Sequence, residues 1–225
     1  MMSSQNFEEI FAAMLREANH EALHLELRDF YGPPSKTFAD WKAGVDYDPA
    51  DKFARWVSLV RETTARGVVV RRARIVGTPV SEYTRYLHWT TSMNIGADER
   101  VRWLARRGAA DLCLTGADFW VIDKVVVYWN HFSGDSILTE VERDDREASA
   151  KLARSAFEAA WARGIDHPGR ADAMGLADFQ PTTMTASARY LLPAKGKPQD
   201  RSLPAWRSAS AEPNRSCRLM PVACE

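Results

Sequence analysis

His20-Glu21-Ala22-Leu23-His24 spells H-E-x-x-H. On a helix this spacing offers two imidazoles, one turn apart, to a zinc ion, and the glutamate between them polarises a metal-bound water. The uncharged flanks Asn19, Ala22 and Leu25 suit such a helix. A catalytic zinc needs a third protein ligand, however, and Leu27 stands where the glycine of the longer zinc-protease pattern belongs. Leu23, Leu25 and Leu27 also alternate with His24, Glu26 and Arg28, a period of two that belongs to a strand. Only nineteen residues precede the motif, too few to build a supporting sheet first. The residues therefore predict no cofactor, with His20 exposed at a helix end and His24 packed beside a sheet. Zinc held by His20 and His24, in a hydrolase, is the alternative.

Arginines form the second set. Arg71, Arg72 and Arg74 fall on one apolar run, and Arg100, Arg102, Arg106 and Arg107 lie in or near another. At the carboxyl edge of a sheet they could line an anion pocket. Alternation places Arg72 and Arg74 on one face and Arg71 on the other, so only part of the set converges. The competing reading is ion pairing along edge strands. Cys113 has no histidine at a recognisable spacing and reads as a buried structural thiol. No G-x-G-x-x-G, P-loop or G-x-S-x-G occurs, and Trp89, Trp103, Trp120 and Trp129 sit in apolar runs that read as core.

The elements that would position these groups alternate along the chain. A helix starts at Asn6, with Glu9 as its capping-box partner and Phe7, Ile10, Phe11, Met14, Leu15 and Ala18 as its stripe. The Leu23–Leu27 strand follows. A helix runs from Asp48-Pro49 to Arg66-Gly67, and a strand covers "GVVVRRARIV". Next come a helix from Ser81 to about Asn94, the strand "ERVRWLARR", and a hairpin turning at Asp123-Lys124. A last helix, capped by Asp144, carries the stripe Leu152, Ala153, Ala156, Phe157, Ala160 and Trp161. This order predicts an α/β domain: a mixed, largely parallel sheet with flanking helices.

The boundary is expected near residue 168. Six of the eleven prolines fall in the last 57 residues, where no periodicity persists, so 169–225 reads as a flexible or weakly ordered tail behind a single domain at 1–168. The 225-residue chain has zero formal net charge, split into 22 basic and 25 acidic residues before position 169 and 8 and 5 after it. That balance gives no push toward nucleic acid. Three cysteines without a CxxC, no secretory leader and no long apolar run predict a cytoplasmic protein with no membrane association.

Five blocks, "LHLELRDFYG", "RGVVVRRARIV" with "PVSEYTRY", "ADERVRWLARR", "DFWVIDKVVVYWNHFSGD" and "AFEAAWARGIDH", resemble in their order an uncharacterised actinobacterial family, a domain of unknown function. The resemblance covers about Phe7 to His167 and carries His24, Glu26, Arg28 and Asp29, but not His20. More distantly, the blocks are similar to the phospholipase-D-like effector domains of actinobacterial transcription regulators. The catalytic strand of that fold carries His, then Lys two residues on, then Asp five further. With Asp123 on the aspartate, Gly116 and Asp118 stand at the other two positions, so the nucleophile and the cation are missing. The resemblance thus implies a degenerate phospholipase-D-like half-fold. It also implies a non-catalytic regulatory or accessory protein that binds a small ligand or a helix-turn-helix partner, without direct nucleic-acid contact. An unrecognised transferase is a further alternative. The site residues expected from these blocks are His24, Glu26, Arg28, Asp29, Arg72, Asp118 and Asp123.

Overall fold

The structure is a computed structural model, and it describes residues 4–167. The expected tail at 169–225 lies outside the described residues. Alternating apolar residues at 21–26, 69–76 and 100–105, and the continuous apolar run at 119–122, form β1 (Glu21–Glu26), β2 (Val69–Val76), β3 (Arg100–Ala105) and β4 (Asp118–Ile122). With β5 (Val126–Phe132), β6 (Leu138–Asp144) and β7 (Ile165–Asp166) they make one seven-stranded sheet in the order β6-β5-β4-β1-β2-β3-β7. The sheet is mixed and flanked by helices, as the alternation of elements predicts. Its parallel pairings are confined to β1–β2 and β2–β3. The others are antiparallel, so the sheet is not largely parallel as expected; β4, β5 and β6 are joined by short turns, which cannot make a crossover.

Helices cover both faces. On one, α1 (Ser4–Glu17), α4 (Ala54–Ala65) and α5 (Glu82–Ile95) pack Met14, Leu15, Leu59, Leu87 and Ile95 against Val70, Val101, Trp103 and Trp120. On the other lies α6 (Glu147–Arg163), whose Ala150, Ala153, Ala156 and Ala160 allow close approach to Leu23, Leu25, Ala73 and Phe119. That second face is wholly apolar in its centre. The first is not.

Several details differ from expectation. The helix predicted from Asp48 is two pieces, α3 (Pro49–Lys52) and α4, broken at Phe53, where φ −112° and ψ 28° leave the helical region. The seven-residue α2 (Lys36–Lys42), capped by Ser35, is too short for an apolar stripe to announce it. β6 is an edge strand, and the charges of "LTEVERD" hide its period. Asp144 therefore ends that strand instead of capping α6, and it accepts the backbone N–H of Arg146 at 3.0 Å. Leu152 is 55% exposed, off the buried stripe, and Cys113 is exposed rather than buried.

Candidate functional site

Strand alternation puts His24 and Glu26 of β1 on the same face as Arg72 and Arg74 of β2, and parallel register sets His24 beside Arg72 and Glu26 beside Arg74. Trp120 of β4 is the cross-strand neighbour of His24 on the other side. All four polar residues are buried beneath the helices, with 6–8% exposure. Charges in such a place must be paired. The Arg72 guanidinium donates from Nη1 to Oε1 of Glu26 and from Nε to Oε1 of Glu99, the latter at 2.6 Å. Glu99 also accepts from the Asn94 amide. Arg74 places Nε 2.8 Å from Oε2 of Glu26, but its N–H is not aimed at that oxygen, so this contact is electrostatic only. Nη1 of Arg74 donates to Thr91 at 3.4 Å.

Aromatic rings complete the enclosure. The His24 imidazole stacks on Trp120 with centroids 4.1 Å apart. Arg72 lies 5.6 Å from the rings of both Trp56 and Trp120, and Arg74 lies 5.1 Å from that of Trp103. Burial pushes the Glu26 carboxyl up, but Arg74 and Arg72 overcome it and bring it down to about 2. Burial, aided by Arg72, holds His24 well below the usual imidazole range. It is therefore neutral, and its Nδ1, 3.5 Å from Glu26, makes no hydrogen bond.

The other expected residues divide between the two ends of β1. At the carboxyl end Asp118 accepts from the Leu27 backbone N–H at 3.0 Å and from the Tyr31 hydroxyl at 2.6 Å. Asp29 accepts from Gly77 N–H at 2.6 Å and from Arg106 at 2.9 Å, locking the β1 and β2 exits together. Arg28 lies over the Phe132 ring at 4.6 Å. Asp123 is at the opposite end, in the β4–β5 turn. It accepts the backbone N–H groups of Asn19, His20 and Glu21 at 2.8–3.0 Å, so it fastens the α1–β1 connection and does not join the set. His20 is exposed in that connection and His24 is on a strand, so the two are not on one helical face. Four extended residues separate them by ~13 Å. No group of three His, Cys, Asp or Glu suited to a metal occurs among the described residues.

Sequence reasoning omitted Glu99, Tyr31 and Asn94. Glu99 had a signal, since it is in phase with Val101 and Trp103 just before β3. Tyr31 and Asn94 had none, because only the fold brings a loop and a helix end to these carboxylates. The arginines expected together at the carboxyl edge are also separated. Arg71 faces α6 and pairs with Glu158 at 2.7 Å, Arg106 is held at that edge by Asp29, and Arg100 stands at the amino edge.

Asp118 titrates in an unusual window. Burial raises its carboxyl to about 6, against the opposing effect of the Tyr31 hydrogen bond. A folded pKa above the unfolded 3.8 means that its contribution is fully present below 3.8 and is lost as pH rises through 6. The loss amounts to about 3 kcal/mol. Because buried His24 and half-buried His167 shift in the opposite sense, the effect is read as a difference between proteins. Asp118→Asn, whose amide can serve both partners, should gain about 1–3 kcal/mol on wild type between pH 4 and 7.5 in urea unfolding. A difference that stays constant with pH would refute the assignment.

Fold and site together define a layered α/β domain with an internally paired polar interior on one face of its sheet. The chain belongs to the family described as a domain of unknown function (DUF6879), whose profile matches residues 9–169. No curated protein matches the sequence. Among solved structures it is similar to Nuc, a phospholipase D family member from Salmonella typhimurium. Identity is 11% and the TM-score 0.42, over 71% of this chain and 89% of that one. It is also similar to TrmBL2, an archaeal chromatin protein whose structure shows a novel mode of DNA binding, with 13% identity and a TM-score of 0.42. That match covers 71% of this chain and only half of TrmBL2. No helix among the described residues is long and apolar enough to cross a membrane.

Proposed function

We propose that this protein is a regulatory or accessory domain that acts by binding, without a reaction of its own, and that its partner is a small helix-turn-helix DNA-binding protein. One observation carries the reading. The groups best suited to chemistry, His24, Glu26 and Arg72, are 8%, 6% and 7% exposed and are paired or stacked with one another and with Glu99 and Trp120. A general acid, base or phosphate clamp must reach the reacting atoms. These groups instead hold β1, β2 and the start of β3 in register. The resemblance of the sequence blocks to regulator effector domains supports the same reading and is the ground for proposing a helix-turn-helix partner.

The test is co-expression with the helix-turn-helix protein encoded nearest to this gene, followed by size-exclusion chromatography with light scattering. Co-elution as a complex of defined stoichiometry is expected. Separate elution at about 10 μM, well above the affinity range of a regulatory pair, overturns the proposal. Stoichiometric zinc in the purified chain, lost in His20→Ala, would replace it with the hydrolase reading.

A further inference from the structure

A second region is built differently. The amino ends of β1, β2 and β3 open into a cleft of about 730 Å³, lined in part by Glu21, Arg71, Arg100, Arg102, Lys124 and Trp161. Strand order sets the Asp123-Lys124 turn, Glu21, Arg71 and Arg100 side by side along this edge. At about 4.8 Å between strands, the cleft is ~14 Å long. Its volume is in the range of small-molecule sites.

The cations in it are of two kinds. Arg71 and Arg102 are fixed. Arg71 is 2.7 Å from Glu158 and 3.4 Å from Glu21, while Arg102 is 2.6 Å from Asp166 and donates to the Trp161 carbonyl at 3.0 Å. Both guanidinium groups lie against the Trp161 ring, at 5.4 and 4.6 Å. Arg100 and Lys124, one on each side, are exposed and have no ion-pair partner among the described residues. Between them Glu21 has one carboxylate oxygen, Oε1, that is buried and accepts no hydrogen bond. A buried acceptor without a donor is costly, and a small rotation of the Glu21 carboxylate would present it to a ligand N–H or O–H.

We propose that this cleft binds a small phosphorylated ligand that also carries hydroxyl or N–H donors, the chemistry shared by sugar phosphates and nucleotides. Arg100 and Lys124 close over the phosphate from either side, and the donors meet Glu21. Arg71 and Arg102, already neutralised by their carboxylate partners, hold the cleft wall in place and leave the free positive charge to Arg100 and Lys124. Glu21 and Asp166 interrupt the basic run, so the edge is not a continuous track for a nucleic-acid backbone. The site is independent of the helix-turn-helix partner, and it is tested on the isolated full chain.

Calorimetric titrations with AMP, glucose 6-phosphate, adenosine, glucose, inorganic phosphate and a twelve-nucleotide single strand decide it. AMP or glucose 6-phosphate should bind at least roughly tenfold more tightly than inorganic phosphate or its own unphosphorylated counterpart. The double variant Arg100→Glu/Lys124→Glu changes two exposed side chains, and unchanged circular dichroism and Tm will report that it folds. It should lose more than roughly thirtyfold in affinity. Glu21→Gln should weaken the ester roughly fivefold and leave inorganic phosphate unchanged. Absence of binding by both esters, inorganic phosphate binding as tightly as either, affinity indifferent to the charge reversal, or tighter binding of the oligonucleotide would each overturn the proposal.

Discussion

Arg72→Met should lose about 3–5 kcal/mol of folding stability, although it removes a cation and inserts an apolar side chain of similar length. The cost is not the lost attraction. It arises because Glu99, with 0% side-chain exposure, keeps only the Asn94 amide, and Glu26 keeps only the misaligned Arg74. A buried carboxylate without a cation either remains charged at great expense or takes up a proton. The loss should therefore shrink as pH falls and a carboxylate stranded in the variant can take up a proton. Adding Glu99→Leu to Arg72→Met should restore at least about 1.5 kcal/mol, since removing both partners strands less charge than removing one. Urea unfolding of the two singles and the double, at pH 5 and 7.5, measures all of this. Additive losses of under about 1 kcal/mol would show that the network is incidental to the fold.

Much of this architecture was legible because hydrophobic period reports burial directly. The alternation of Leu23, Leu25 and Leu27 decided between strand and helix for the H-E-x-x-H stretch, and β1 begins at Glu21. The same alternation placed Arg72 and Arg74 together and Arg71 opposite, as the register has them. Asp123-Lys124 is the hairpin turn, with φ of 50° and 69°. Periodicity could not say which charges meet across strands, because that depends on register. Glu26 with Arg72 and Arg74 is a register effect, whereas Asp123 stands apart because it lies in the turn at the other end of β4. Nor could it choose between the two edges of the sheet for an anion cleft. The basic residues at 71, 100 and 102 were visible, but only the order β4-β1-β2-β3 brings the Lys124 turn into line with them. β6 was hidden for a related reason. An exposed edge strand satisfies its backbone on one side and fills its pattern with charge, which removes the signal by which strands are recognised.

Phe157→Ala, on the opposite face of the same sheet, should cost a similar ~3–5 kcal/mol by a different mechanism. Its ring has 0% exposure and packs among Leu23, Leu25, Ala73 and the alanines of α6, with Trp161 stacked 5.6 Å away. Those alanines hold the helix close to the sheet and have no larger side chain to swing into the void, so the site collapses poorly and the cavity term remains. No carboxylate is stranded, so the loss should be the same at pH 5 and 7.5, where that of Arg72→Met differs. Phe157 also lies 5.2 Å from the Arg71 guanidinium and supports Trp161 at the wall of the amino-edge cleft. The truncation should therefore raise ligand Kd several-fold even at a temperature where the variant is fully folded, through a less ordered Trp161. Arg72→Met, buried on the other face, should leave that Kd unchanged while folded. Equal pH dependence in the two variants would refute this division of the sheet into a charge-paired face and an apolar one. Scanning the unfolding of both from pH 5 to 7.5 gives the answer directly.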